Sequence, residues 1–581
     1  MSIYADNSFF HRDYHGTKVM VIVPHEDDEI NTSGALLYSL SKCGAKITVV
    51  YTTNGDWKYP AKVRINEAVK ALAVLGVRKD SIIFLGYGDS YGENKKDHIF
   101  YHQEQPFRSV SGYMETYGSG IYNDYAFQTL GKHHEYTALN YLKDIVAVIE
   151  QIRPNLIVCT DFDNHPDHRM LSLYLDKAVG IVKKREPSYS PEILKRFAYT
   201  LAYTADDDFS AINNSETKEP PRESNENYKW GTVNSSFCIW ENRIRIPFPQ
   251  NGRECDLKKN IISKALVQHR SQYIITKADR IINSDEIYWS RRTDSISYNA
   301  KVTVSSGCGD FLTDFMLYDV KNIDDDFSEA VNYCWKPDEN DTEKTALLSW
   351  EKPFDIESVI LYGAVSSDSY INKLSITLSD GFCKVIDELP SNGNPLSVDF
   401  KGHVGIVSCE IRILSARGLN YGISECEIYQ CRENIKTIKP FCKILIDDNF
   451  AYEYIVDIGK QKLPLKCYTY GDTGEIELTA DKCNSKIING ELILDKNDRT
   501  IIIKAENSSR DIYDLAIIKR TDSKEYKKYN KLDCKNRRYL KRKCYEYKLH
   551  NMLYILKHQG IISVLKRTYK NVIRPQFEKY K

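Results

Sequence analysis

Two short clusters of imidazole and carboxyl side chains each follow a predicted strand. Residues 24–29 (PHEDDE) come directly after the apolar run 18–23, and residues 164–168 (NHPDH) come after the run 155–160. In open α/β sheets, ligands bind outside the carboxyl ends of the strands. Both clusters would lie on that edge, and they contain the side chains of catalytic zinc sites, where three protein ligands leave one position for water. The spacing therefore predicts a divalent metal site.

Only some of these side chains can bind a metal at the same time. A spare carboxylate beside the metal can take a proton from water, and a spare imidazole can stabilise an oxyanion or protonate a leaving nitrogen. The alternative is that the His-Pro and Asp-Asp pairs are ordinary turn residues. We favour the metal site because both clusters end equivalent strands.

The elements around the clusters predict a Rossmann-like α/β catalytic domain with a mostly parallel sheet, because strands alternate with helices. Two long segments interrupt this alternation. For residues 86–135 we predict a lid, and the polar composition of residues 206–231 is typical of disorder. The predicted strands are 18–23, 46–52, 81–85 and 155–160, and the predicted helices are 34–44, 63–75 and 138–153.

Length and composition exclude several classes of protein. A chain of 581 residues is long enough for about four domains. With 42% hydrophobic and 28% charged residues, it is neither a disordered nor a collagen-like chain. It has no run of 18 apolar residues and no signal-peptide pattern, so we expect a cytoplasmic protein without a spanning helix. Its 15 cysteines include no C-x-x-C pair, which favours free thiols over disulfides or structural zinc.

The rest of the chain predicts two β-sandwich domains and a helical basic tail. Alternating apolar runs that end in turns dominate after about residue 295, and a second β-rich stretch spans residues 444–519. We place the domains at residues 1–295, 296–431, 432–520 and 521–581.

The tail carries most of the positive charge. Residues 519–581 contain 20 Lys and Arg against 5 Asp and Glu, so the formal net charge of zero is a cancellation of +15 and −15. An apolar stripe begins with Leu549, Leu553 and Leu556 among these basic residues. This pattern predicts docking on an anionic membrane surface, because binding to nucleic acid phosphates needs no such stripe. We expect no nucleic-acid partner; the remaining alternative is a helix that packs on the acidic part of this protein.

The two clusters resemble the motifs of the PIG-L/LmbE-like zinc-dependent N-acetylglucosaminyl deacetylases. The family motifs HPDDE and HPDH correspond to residues 25–29 (HEDDE) and 165–168 (HPDH), with Glu26 at the usual proline position. The resemblance implies that Zn2+ is bound by His25, Asp28 and His168. It further implies that Asp27 is the general base and that His165 assists the tetrahedral intermediate.

Three weaker motifs agree with this resemblance: residues 53–56 (TNGD), an R-x-x-E helix with Arg64 and Glu67, and residues 268–272 (QHRSQ). The planar fork of Arg64 suits a phosphate or sugar oxygen, although a surface pair with Glu67 is the alternative. We also expect Asp89, at the end of the third strand, and His269 to bind substrate.

The region 300–430 resembles a discoidin, or galactose-binding-like, β-sandwich, in which a tryptophan is expected in the core. Residues 432–520 resemble an immunoglobulin-like sandwich only loosely. Together, these resemblances predict a hydrolase that removes acetate from a GlcNAc-type amino sugar in a glycan or glycolipid precursor. The basic tail predicts that this enzyme lies at the inner face of the membrane. The competing hypothesis is a non-catalytic glycan-binding or scaffold protein of polysaccharide assembly.

Overall fold

The fold is taken from a computed structural model of the chain. It describes residues 14–90, 99, 102–161, 165–198, 217, 244–248, 252, 254–282, 285–316, 334–364, 366, 368–391, 395–430, 441–447, 453–470, 473–481, 483–510 and 512–568.

The N-terminal region is built on a seven-stranded sheet with the order β3-β2-β1-β4-β5-β7-β6. Strands β1 to β5 pair in parallel, whereas β7 and β6 add an antiparallel edge. The strands that carry the site are continuous apolar runs, as expected where helices cover both faces of a sheet. The strands are β1 (Lys18–Val23), β2 (Lys46–Thr53), β3 (Ile82–Tyr87), β4 (Leu156–Thr160), β5 (Glu192–Arg196), β6 (Ile244–Pro247) and β7 (Asp285–Arg291).

The three predicted helices of this region begin and end close to the predicted positions, with one difference. Helix α1 begins at Asp28, six residues before the predicted start, and its backbone leaves helical geometry at Ser33 (φ −154°, ψ 29°). The predicted helix therefore corresponds to the part after this break. The helices are α1 (Asp28–Lys42), α2 (Ala61–Val74), α3 (Tyr125–Leu130), α4 (Ala138–Ile152), α5 (Pro166–Arg185), α6 (Ile261–Leu266) and α7 (Ala278–Ile281).

The middle region forms a six-stranded antiparallel sheet in which β8 pairs with β9 beside the order β11-β10-β12-β9-β13. The long strands β9 and β12 have several register shifts. Trp335 and Trp350 are buried in its apolar core, as predicted. The strands are β8 (Lys301–Val304), β9 (Thr345–Gly363), β10 (Tyr370–Leu378), β11 (Cys383–Leu389), β12 (Pro395–Arg417) and β13 (Ile423–Gln430).

The third region consists of two four-stranded sheets, β14-β16-β19-β18 and β15-β21-β20-β17, around one apolar core. Its strands are β14 (Phe441–Ile446), β15 (Glu453–Asp457), β16 (Lys462–Tyr470), β17 (Ile476–Asp481), β18 (Lys486–Ile488), β19 (Glu491–Ile493), β20 (Thr500–Asn507) and β21 (Tyr513–Thr521).

A single helix, α8 (Ser523–Thr568), follows the last strand. Tyr547 of this helix is 4% exposed and packs into the core of the N-terminal domain. Among the described residues, no helix has both the length and the apolar character needed to cross a bilayer.

The predicted order of a mostly parallel α/β domain, β-rich regions and a helical tail is confirmed. The domain boundaries stay predictions. The segment predicted to be disordered, 206–231, lies outside the described residues except for Thr217. The thirteen cysteines among the described residues are all free, in agreement with the prediction.

Candidate active site

The two motif clusters meet where the sheet order reverses. His25 follows β1 and His165 follows β4, and these two strands are neighbours in the sheet. A crevice at such a reversal is the usual ligand site of open α/β sheets. His165 is the N-cap of α5 and its Nδ1 accepts a hydrogen bond from Asp167 N, while Pro166 occupies the first helical turn. The second motif therefore also begins a helix, because a proline is favoured at the first helical position.

One of the predicted metal ligands, Asp28, contacts the other two. Asp28 Oδ2 lies 3.0 Å from His25 Nδ1 and 3.2 Å from His168 Nε2. Ligand atoms around a tetrahedral zinc are about 3.3 Å apart, given zinc–ligand bonds near 2.0–2.1 Å. All three side chains are almost fully buried. Their spacing and their nitrogen and oxygen donors therefore fit a zinc ion.

The second ring nitrogen of His25 has its own partner. His25 Nε2 lies 3.1 Å from Asp167 Oδ2, and the backbone N–H of Ser90 donates to the same oxygen. A carboxylate on the far nitrogen fixes the ring orientation of a metal-binding histidine. Burial lowers the pKa of His25, but the hydrogen bonds with Asp167 and Asp28 outweigh burial and raise this pKa well above its usual value. Sequence reasoning assigned no role to Asp167, although its place in the second motif could have suggested one.

His165 completes a group of three imidazoles. Its ring centroid lies 4.7 Å from that of His25 and 4.7 Å from that of His168. Burial, together with the two neighbouring rings, lowers the pKa of His165 well below its usual value. His25, His165 and His168 offer donor atoms within 4.8 Å of one another, and so do His25, Asp89 and Asp167.

Asp27 has an unusual backbone conformation beside the predicted ligands. Its φ of 146° with ψ of −21° is rare for a residue with a side chain. The backbone N–H of Asp27 donates to Glu29 Oε2 at 2.9 Å, and Arg64 Nη2 donates to Asp27 Oδ1 at 3.0 Å. Burial raises the pKa of the Asp27 carboxyl, and Arg64 opposes this only in part. The result is a fixed carboxylate that lines the cavity next to His25 and Asp28.

Arg64 is buried, so the alternative of a surface pair with Glu67 is wrong. Besides Asp27, its guanidinium donates to the carbonyl oxygens of Gly55 and Glu26 at 2.8 and 2.7 Å. A Cβ on Gly55, whose φ is +51°, would overlap this guanidinium. Arg64 thus lines the cavity while it holds Asp27 in place.

Glu26 is fully buried, and its Oε2 lies 3.4 Å from Arg64 Nε. Burial raises the pKa of Glu26 to about 8, against the opposing effect of Arg64. The residue that replaces the usual proline therefore contacts the side chain that positions Asp27.

The late motif, residues 268–272, contacts the loop that carries Asp27 through Glu29. His269 is fully buried, and its Nε2 lies 2.7 Å from Glu29 Oε1, while the other carboxylate oxygen of Glu29 accepts from Asp27. Burial lowers the pKa of His269, but Glu29 outweighs burial and raises this pKa. Ser271 donates to Glu67 through both its backbone N–H and its hydroxyl. This arrangement makes His269 a support of the Asp27 loop, and its predicted contact with substrate stays a prediction.

A cavity of about 410 Å³ lies over these residues. Asp89, predicted to bind substrate, lines it, and the backbone N–H of Asp89 donates to Asp56 Oδ1 at 2.9 Å. The predicted lid, residues 86–135, contacts the loop between β2 and α2, since the Tyr117 hydroxyl donates to Asp56 Oδ2 at 2.5 Å. Gln272, the last residue of the late motif, also lines the cavity. Sequence reasoning missed four residues of the lining, which lie outside the motifs that it used: Asn31, Trp57, Lys58 and Lys277.

Residues 20–179 match the family described as GlcNAc-PI de-N-acetylase (PIG-L), and residues 295–429 match a domain of unknown function, DUF7402. No curated protein matches the chain.

Solved structures show distant similarity. N,N'-diacetylchitobiose deacetylase from Pyrococcus horikoshii is 14% identical, with 49% of this chain and 90% of that chain covered and a TM-score of 0.27. The zinc-inhibited form of teicoplanin deacetylase is 16% identical, with 48% and 99% covered and a TM-score of 0.23. A family 32 carbohydrate-binding module of C. perfringens NanJ, in complex with galactose, is 15% identical, with 23% and 96% covered and a TM-score of 0.16. Because the family match spans both motif clusters, residues 20–179 of this chain form a PIG-L family domain.

Proposed function

We propose that this protein is a zinc-dependent de-N-acetylase that removes acetate from a GlcNAc-type amino sugar in a glycan or glycolipid precursor. The observation that carries the proposal is the contact of Asp28 with both His25 and His168, next to a cavity of about 410 Å³ that Asp27 lines. The match of residues 20–179 to the de-N-acetylase family supports the same reaction.

In this proposal His25, Asp28 and His168 hold the zinc, and Asp27 and His165 act on the substrate. Bound zinc lowers the pKa of a coordinated water and polarises an acyl oxygen. Asp27, fixed by Arg64, takes the proton as water adds to the acetyl carbon. His165 faces the developing oxyanion. The carbon–nitrogen bond then breaks, the leaving nitrogen receives the proton from Asp27, and the products are acetate and the free amine.

The lining of the cavity suits a sugar. Asp89 offers carboxylate oxygens to ring hydroxyls, and Trp57, which is 44% exposed, offers an aromatic face at the opening. Cavities of this size with a few convergent polar groups are typical of small-ligand sites. We therefore assign the acetylated sugar to the buried end of the cavity.

The test is metal analysis of the purified full-length protein, followed by acetate release from N,N'-diacetylchitobiose with and without a chelator. We expect about one zinc per chain and chelator-sensitive release. The variant His168→Ala should lose both metal and activity, whereas the control His403→Ala, on the middle sheet, should lose neither. A metal-free wild-type protein without chelator-sensitive activity would refute the proposal and favour a non-catalytic glycan-binding or scaffold role.

We also propose that the protein is cytoplasmic and docks on the anionic inner face of the membrane through α8. One side of this helix packs on the N-terminal domain, through Tyr539, Leu540 and Tyr547. The opposite side exposes apolar residues beside lysines, which is the composition of interfacial helices. The exposed apolar residues of this side, the outer face of α8, are Leu549, Met552, Leu553 and Leu556.

A further inference from the structure

The residues that line the cavity fall into a buried floor and an exposed rim. The floor contains His25, Asp28 and Asp89, all of which are almost fully buried. The cavity rim consists of Trp57, Lys58, Gln272 and Lys277, whose side chains are exposed or half-buried. Trp57 and Lys58 lie in the loop between β2 and α2, and Gln272 and Lys277 lie after α6. The rim therefore comes from two segments more than 200 residues apart in the chain.

Helix α8 contacts the first rim segment directly after Lys58. Tyr59 is 3% exposed, and its ring centroid lies 4.9 Å from that of Tyr554. The Tyr59 hydroxyl also donates to Asn551 Oδ1, one turn earlier on the same helix. A residue next to the rim is thus held by a tilted aromatic pair and a hydrogen bond from α8.

The same helix contacts the second rim segment directly after Gln272. The ring of Tyr273 lies 6.2 Å from that of Tyr547, and the Tyr547 hydroxyl donates to the carbonyl oxygen of Val267 at 2.9 Å. Tyr547 lies two helical turns before Tyr554, so one face of α8 touches both sides of the rim.

This face of α8 is docked on the domain over several turns. Asn536, which is 3% exposed, donates from Nδ2 to the carbonyl oxygen of Cys255 at 2.7 Å. Lys535 Nζ lies 3.8 Å from Asp256 Oδ2. These contacts fix the helix independently of Tyr547 and Tyr554, so the rim rests on a rigid support.

From these contacts we infer that α8 positions the cavity rim and so determines how well the enzyme binds the part of the substrate beyond the acetylated sugar. Tyr547, Asn551 and Tyr554 are positioning residues, since they contact Tyr59 and the segment 267–273 and not the reacting atoms. The inference rests on the proposed function, because the floor and the rim then bind different parts of one substrate. It makes a helix at the C-terminal end of the chain part of the architecture of an N-terminal active site.

The test uses full-length Tyr554→Ala with N,N'-diacetylchitobiose, and with Tyr545→Ala as the control. Tyr545 lies on the same helix but is 61% exposed. We expect Tyr554→Ala to raise KM by about fivefold, in keeping with the loss of one aromatic pair, while kcat and zinc content stay unchanged. Tyr554→Phe, which keeps the ring, should restore KM. Amide hydrogen exchange should show lost protection in residues 54–60 but not in residues 536–547.

Two outcomes separate this inference from the proposed function. Unchanged KM together with unchanged protection of residues 54–60 in Tyr554→Ala would overturn the positioning role. If wild-type protein releases no acetate, the proposed function fails, and the exchange measurement alone still decides whether α8 orders the rim.

Discussion

Asp27 shows at the scale of one residue how the loop after β1 is arranged for chemistry. Its positive φ places a carboxylate in the cavity next to Asp28, and two partners hold it there: Glu29 through the backbone and Arg64 through the side chain. Rare backbone conformations persist only where the surroundings over-determine them, and they concentrate at functional sites. The pairing of Arg64 with Glu26 adds a further constraint.

We predict that Asp27→Asn lowers kcat by about 10²- to 10⁴-fold, because an amide cannot take the proton from water. Zinc content should stay unchanged, since Asp27 is not among the three proposed zinc ligands. The measurement is acetate release together with metal analysis, and the exposed Asp310→Asn serves as a control for loss of one surface carboxylate. A variant that keeps wild-type kcat would remove Asp27 from the role of base.

How far the sequence predicts this site depends on the distance between partners along the chain. The motif residues could be brought together from sequence alone, because each cluster directly follows a parallel strand and strand ends share one edge. The partner of His269 could not, since Glu29 lies 240 positions away and only folding brings α6 against α1. The rim residues Lys58 and Lys277 were missed for the same reason.

At the scale of elements, local patterns predicted types well and ends less well. The apolar run 18–23 correctly predicted strand β1, and Pro154 correctly predicted the end of helix α4. The start of α1 was misplaced because Asp27 and Asp28 begin a helical turn that Ser33 then interrupts. The site needs this extra turn, since it carries Asp28 and Glu29 towards their partners.

The segment after β8 packs against α5 and contains Asp314, a carboxyl group whose ionised form is disfavoured by burial. Burial raises the pKa of Asp314 to about 7 from its usual value of 3.8, against the opposing effects of the Met316 N–H, Lys177, Lys184 and Arg291. The carbonyl oxygen of Asp314 lies so close to Gly180 of α5 that a Cβ there would overlap it. The carboxyl is thus held at the junction between the N-terminal domain and the middle sheet.

We predict that Asp314→Asn stabilises the protein increasingly as the pH rises from about 4 to 7. In that range the unfolded chain releases the proton and the folded protein keeps it, so wild-type stability falls by up to about 1.4 kcal/mol per pH unit. The amide of asparagine does not ionise in this pH range, so the variant does not lose this stability. The measurement is the thermal midpoint of both proteins from pH 4 to 8, where the advantage of the variant should grow and then level off.

The control for this prediction is Asp310→Asn, four residues earlier and with an 88% exposed side chain. Its difference from wild type should change little with pH. Parallel curves for Asp314→Asn and wild type would show that Asp314 ionises normally in the folded protein.

At the scale of the whole molecule, charge is separated between an acidic body and a basic helix. Helix α8 carries fourteen Lys and Arg against three Asp and Glu. Pairing of two copies through its outer face would bring these like charges close together, which disfavours self-association. An anionic bilayer instead attracts each nearby basic residue by about 1 kcal/mol and also buries the apolar stripe. The inner face of α8 meanwhile holds the cavity rim, so binding to the membrane would bring a lipid-linked substrate close to the active site.

We therefore predict that full-length protein pellets with vesicles containing phosphatidylserine and not with pure phosphatidylcholine vesicles, and that salt weakens this binding. Leu553→Glu combined with Leu556→Glu should reduce the bound fraction at least tenfold, because two carboxylates would have to enter the lipid interface, at a cost of about 1.4 kcal/mol per tenfold change. The control is Leu414→Glu, which changes an exposed leucine of β12 that is 47% accessible. Equal pelleting of the double variant and the control would show that the outer face of α8 does not bind the membrane and that the basic charge of α8 serves another purpose.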